Sequence, residues 1–165
     1  MGRFKVGDKA VYPAHGVGEV TGIETREISG LRHDFYILRI LESGMKVMVP
    51  TDNANSVGLR GIIPKAEVKK VFEVLRRKKI IVAKQTWNRR HREYMEKLKT
   101  GSVYEIAEVL RELSLLRSKK DLSYSERKVL ETARSLLVQE LALARRTKES
   151  RIESELDAIF SAGSA

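Results

Sequence analysis

The chain contains no cysteine, which excludes disulfides and thiolate metal sites and fits a reducing compartment. Its three histidines, His15, His33 and His91, sit far apart without ligand spacing, so neither a metal nor a cofactor is expected. No stretch approaches the roughly 18 apolar residues of a membrane span. The start, Met1-Gly-Arg-Phe-Lys-Val-Gly-Asp8, has no apolar h-region, so the expected location is cytoplasmic and away from membranes. A Gly-x-x-x-x-Gly-Lys-Ser/Thr loop is missing, and Gly16-Val-Gly18 lacks the third glycine and following helix of a dinucleotide fingerprint. Serine and histidine never fall in an elbow or triad context, and no enzymatic activity is expected. Aromatic residues make up only 6% of the chain and include one tryptophan, so that residue carries unusual weight.

What the chain has in excess is positive charge, and it is local. Residues 65–99 hold thirteen lysines and arginines against four glutamates, which is nine of the net +10 charges. The residues before and after this window are nearly neutral. A cationic block beside the single Trp87 points to contact with a polyanion. With 165 residues and 42% hydrophobic content, one ordinary domain or two small ones can be built.

Two halves differ in hydrophobic period. Residues 1–63 alternate as β structure, with strand candidates at Lys9–Tyr12, Gly18–Glu24, Phe35–Leu41 and Lys46–Pro50 and glycine-rich turns between them. Short strands in about sixty residues fit a small Tudor-like or SH3-like β-barrel. From Pro64 the period becomes helical, and residues 64–165 read as a compact all-α domain; the fold class is α+β with two domains. Pro64 suits a first helical turn ahead of Val68, Val71, Phe72 and Leu75. Ile80-Ile81-Val82 forms a short apolar link, and Thr86 caps a helix reaching about Lys99. Ser102 with Glu105, Ser123 with Glu126 and Ser150 with Glu153 are three capping-box pairs that start the remaining helices.

The segment Thr86-Trp-Asn-Arg-Arg-His-Arg92 is the sharpest local signal. On a helix Arg89 and Arg92 share a face, while Arg90 lies about 100° round from Arg89. Such a fan suits phosphates on both walls of a groove. Trp87, at the helix start, either continues the stripe of His91, Tyr94, Met95 and Leu98 into a core or stays exposed to wedge into a base step. Arg76-Arg77-Lys78-Lys79 suits a helix C-terminus and also adds to the field that draws in DNA. The neutral half offers a different feature, an edge strand ending in Met48 and Pro50 that could pair with another protein.

These residues bear a family resemblance. Phe4-Lys-Val-Gly-Asp8, Val11-Tyr-Pro-x-His-Gly-Val-Gly18, Ile23-Glu-Thr-Arg26, Val49-Pro50 and Ser56-Val-Gly-Leu-Arg60 resemble the amino-terminal signature of CarD/CdnL proteins. Thr86-Trp-Asn-Arg-Arg-x-Arg-Glu-Tyr-Met-Glu-Lys97, Gly101-Ser-Val-x-Glu-Ile-Ala-Glu-Val-Leu-Arg111, Ser125-Glu-Arg-Lys128 and Ala133-Arg-Ser-Leu-Leu137 continue it in order. The chain resembles the short stand-alone CdnL type more than CarD forms with a basic AT-hook tail. The resemblance implies a bacterial transcription regulator whose Tudor-like domain binds the RNA polymerase β subunit. Its helical domain would meet promoter DNA at the upstream edge of the transcription bubble, by mostly sequence-independent contacts. It also implies that Trp87 wedges into the minor groove to stabilise the open complex, with Arg89, Arg90 and Arg92 on the backbone. Polymerase contacts would fall on Arg26, Leu38, Met48 and Pro50, and the protein would be nucleoid-associated through polymerase. A monomer is expected. The competing reading is a free, non-specific nucleic-acid-binding protein that uses the same basic region.

Overall fold

The computed structural model describes residues 4–54, 57–77 and 87–162. The expectations placed on Ser56, Lys78, Lys79, the Ile80–Val82 link, Lys84 and the Thr86 cap therefore lie outside the described residues. The chain separates into two compact units, Met1–Ile62 and Ile63–Ala165.

The first unit is one antiparallel sheet of β1 (Lys9–Tyr12), β2 (Gly16–Ile28), β3 (Leu31–Ile40), β4 (Lys46–Pro50) and β5 (Arg60–Gly61). Their order across the sheet is β4-β3-β2-β1-β5, which leaves β4 and β5 as its ends. Strands β1 and β4 occupy the spans their alternation points to. By contrast β2 and β3 run past the expected Glu24 and begin before Phe35, with pairing that continues to Ile28 opposite Leu31. The cause is the two-residue turn Ser29-Gly30, with φ of 52° and 78°. Positive φ at both positions is the turn whose twist matches a right-handed strand pair, so the ladder extends although its side chains are exposed.

A bulge at Thr21 shifts the register from Val20 opposite Leu38 to Gly22 opposite Ile37. Ala10, Val20, Tyr36, Leu38, Ile40, Val49 and Leu59 fill the core beneath. Gly18 is required there because a Cβ would lie 2.6 Å from Leu38 Cγ. Phe4 closes one edge with its ring perpendicular to Tyr36 at 5.7 Å.

The second unit contains α1 (Lys65–Arg76), α2 (Trp87–Lys99), α3 (Val103–Arg117), α4 (Tyr124–Arg145) and α5 (Glu149–Ala162). A single core gathers Val71, Phe72, Leu75, Leu98, Leu110, Leu113, Leu137, Leu141, Ile152 and Leu156 from all five helices. Pro64 takes the N-cap position with ψ of 152°, and the first helical residue is Lys65. The buried Glu140 carboxylate accepts the Ile63 N–H at 3.0 Å, so a charge inside this core has a defined backbone partner.

Of the three capping-box pairs, only Ser123 and Glu126 form both bonds. Ser102 does precede α3, but its hydroxyl makes no cap bond. Thr100 Oγ1 accepts the Ser102 N–H at 3.2 Å, and that is the bond Glu105 would need. At α5 the helix begins at Glu149, which puts Ser150 inside the first turn instead of before it. A glutamate at that position is favoured by the helix dipole.

Candidate nucleic-acid interface

The first two turns of α2 carry the tryptophan and the three arginines, and Arg90 lies against the tryptophan ring. Trp87 is half-buried, so both readings of it hold in part: it packs against the helical core and keeps an exposed portion. Its indole N–H donates to Ser125 Oγ at 2.8 Å. The His91 ring meets it edge-on at 5.4 Å, and Tyr94 lies 6.1 Å away. The stripe predicted from spacing is present, with Tyr94 and Leu98 buried at its inner end.

Arg89 and Arg92 are exposed on this helix, and Arg89 approaches Glu93 one turn on at 3.9 Å. Arg90 behaves differently. Its guanidinium carbon sits 5.6 Å from the Trp87 ring centre, and its Nε is enclosed with no hydrogen-bond partner among the described residues. An arginine lying on the indole face steadies the ring as well as adding charge. From the wider basic block, Lys65, Lys69, Lys70, Arg76, Arg77 and Lys99 are exposed, whereas Lys97 is drawn to Glu108 at 3.0 Å.

Beneath the tryptophan lies a polar layer that the sequence pattern does not reveal. Burial pushes the Tyr94 phenol up to about 12, helped by the charge and hydrogen bond of Glu112 and opposed by Arg90. Tyr94 is therefore a neutral donor throughout the physiological range. Burial also acts to raise the Glu126 carboxyl, but hydrogen bonds from the Ser123 backbone and side chain and from Lys120 outweigh it and hold Glu126 below its ordinary value. Ser125 stands between these two capping residues. It was missed by sequence reasoning because 38 positions separate it from Trp87. Tyr124, 70% exposed, and Lys128, 5.5 Å over its ring, stand on the same first turns of α4.

The other set of site residues lies in the sheet unit. Directly paired residues share a face of a sheet. Arg26 pairs with His33, Ile37 with Met48 and Phe35 with Pro50, so Arg26, Met48 and Pro50 lie on the outer face. Met48 is 38% exposed on the end strand β4, and Arg26 reaches Glu24 at 3.2 Å. Leu38 points the other way. It is 0% exposed and fills the core above Gly18, so it offers no surface to a partner. Its alternation with Ile37 is what puts it inside, and Ile37 and Phe35, both partly exposed, occupy the outer face that Leu38 was expected to share.

Among the described residues no cluster of acidic side chains and histidines could hold a metal ion, and no helix is long and apolar enough to cross a membrane.

Comparison with known proteins accounts for both units. Residues 4–63 match the CarD-like/TRCF RID domain, and residues 70–157 match the CarD C-terminal domain. A Bacillus subtilis (strain 168) protein named "Putative transcription factor YdeB" is 32% identical over 154 residues, which is 92% of this chain and 98% of that protein. The solved structure "CdnLNt from Myxoccoccus xanthus" shares 60% identity over 38% of this chain and 89% of its own, with a TM-score of 0.33. With the two domain families matched in order along one chain, the protein belongs to the CarD/CdnL family of RNA polymerase-interacting transcription regulators.

Proposed function

We propose that this protein binds the β subunit of RNA polymerase through the outer face of its sheet and stabilises the promoter open complex with Trp87. The ring would enter the minor groove at the upstream edge of the transcription bubble. The observation that carries the reading is the first turn of α2. There one half-exposed indole is fixed by Ser125, Arg90 and His91, and the exposed cations Arg89 and Arg92 follow on the same helix.

A ring held in place before DNA arrives loses little freedom on insertion. An aromatic wedge fits an unstacked or melted step better than an intact one, and only that difference shifts the equilibrium between closed and open DNA. A preference of about 1.4 kcal/mol shifts it tenfold, within the ~1–3 kcal/mol that base–aromatic stacking supplies. Arg89 and Arg92 would hold backbone phosphates, which fixes position without reading sequence. Arg90 would serve mainly from the ring face. In the sheet unit, Met48, Pro50 and Arg26 would form the docking face together with Phe35 and Ile37, while Leu38 supports it from beneath. Docking there raises the effective concentration of the helical unit at the promoter.

Permanganate reactivity of thymines at the upstream bubble edge tests the reading. The wild-type protein is expected to increase that reactivity in the presence of polymerase, and Trp87→Ala to return it to the polymerase-alone level. Equal reactivity with and without the protein would reject open-complex stabilisation. Equal affinity for bulk duplex with and without polymerase would favour the free nucleic-acid binder.

A further inference from the structure

Trp87 is the first described residue of α2, and its indole is held by contacts from other parts of the unit. The indole has one hydrogen-bond donor, and that donor is used: Nε1–H reaches Ser125 Oγ at 2.8 Å. The turn that presents this hydroxyl is itself pinned. Glu126 N–H donates to Ser123 Oγ at 3.3 Å, and Ser123 N–H donates to Glu126 Oε1 at 2.8 Å. Lys120 Nζ also donates to that oxygen, at 3.2 Å. Glu126 is only 2% exposed, so the anchor of α4 is a buried, bonded carboxylate. On the ring itself lies the Arg90 guanidinium, its Cζ 5.6 Å from the ring centre, a cation–π contact that restrains the indole from its face.

We propose that Ser125 is a positioning residue for Trp87: its hydroxyl, carried on the capped first turn of α4, sets the orientation in which the indole is presented to DNA. This rests on the wedge reading given above. A consequence is that the exposed part of the ring offers DNA hydrocarbon and π surface, because the sole donor is already engaged. Ser125 would then act through the ring's geometry, without touching nucleic acid.

The test uses the full-length protein with its cognate RNA polymerase. It compares open-complex lifetime after competitor addition for wild type, Ser125→Ala, Ser125→Thr, Trp87→Phe, Trp87→Ala and the Ser125→Ala/Trp87→Phe double variant. Loss of one neutral hydrogen bond predicts that Ser125→Ala reduces the protein-dependent gain in lifetime about two- to tenfold. Ser125→Thr, which keeps the hydroxyl, should retain the gain. In the Trp87→Phe background, where the donor is gone, Ser125→Ala should add nothing.

The single tryptophan supplies a readout in the free protein. Its fluorescence anisotropy decay should gain a fast local component in Ser125→Ala, with polymerase affinity and melting temperature near the wild-type values. Wild-type lifetime and anisotropy in Ser125→Ala would overturn the proposal. So would an equal loss of lifetime with and without the indole N–H, since that marks a general packing defect. If Trp87→Ala keeps the full lifetime, the wedge reading itself fails and the positioning role falls with it.

Discussion

The sheet unit and the helical unit differ most in what they leave exposed. The first carries almost balanced charge and shows Met48 and Pro50 of the end strand β4, with Ile37 and Phe35 of the neighbouring β3 beside them, on its outer face. The second folds the apolar stripes of five helices into one core, and the exposed surface of α1 and α2 is largely cationic, with a half-exposed indole at the start of α2. An apolar, weakly charged face binds by shape and desolvation and tolerates salt. A cationic helix binds a polyanion, is weakened by salt and reads little sequence. The two units thus present surfaces of different chemistry, as the proposed bridging of polymerase and promoter requires.

Substitutions in each unit test this contrast. Within the sheet, Leu38 and Met48 stand for core and surface. Leu38→Ala should cost about 2–5 kcal/mol of that unit's stability, and Met48→Ala within about 0.5 kcal/mol, both read by denaturant unfolding. Polymerase binding should nevertheless be lost in Met48→Ala while the fold persists. If Met48→Ala unfolds the sheet as readily as Leu38→Ala, the outer face is misassigned. Gly18→Ala forces a Cβ into Leu38 and should cost about 1–3 kcal/mol, again without direct contact to a partner.

In the helical unit, Ser123→Ala should lower stability by roughly 1 kcal/mol. Ser102→Ala, which removes no cap bond, should leave it nearly unchanged. Glu126 makes the same point through pH. Its carboxyl is held below its ordinary value, so its contribution is complete above the unfolded-state value near ~4.3 and is lost as pH falls through the lower folded-state value. Wild type should therefore lose its stability advantage over Glu126→Gln in acid and keep it at neutral pH, as followed by thermal melts. The smallest effect concerns salt. Arg89→Ala and Arg92→Ala should each reduce the slope of log affinity for DNA against log salt by about 0.9, whereas polymerase affinity should keep its own slope.

Much of this architecture is legible in local pattern. The alternation of Lys9–Tyr12 and Lys46–Pro50 and the helical stripe from Tyr94 to Leu98 give these elements and their inner faces directly. What escapes is set by partners distant in sequence. The length of β2 depends on β3 across the Ser29-Gly30 turn, and side-chain burial gives no hint of it there. Ser102 and Ser123 begin equally good capping patterns, yet Thr100 intercepts one of them. Leu38 and Ile37 are adjacent apolar residues in one strand, and which of them faces the core follows from the strand's alternation with buried Tyr36 and Ile40, which packing across the sheet decides. The indole of Trp87 could be assigned to core or surface from spacing alone. Its hydroxyl partner on α4 shows that it is held partly in each.

In the proposed function, docking by one unit and wedging by the other act together on open promoter DNA. The most direct test is the competitor-challenged lifetime of open complexes on a ribosomal-RNA-type promoter, compared among wild type, Trp87→Ala and Met48→Ala. Wild type should lengthen the lifetime and both variants should lose that gain, with Trp87→Ala still bound to polymerase. An unchanged lifetime with wild type, or a full gain in Trp87→Ala, would contradict the proposed function.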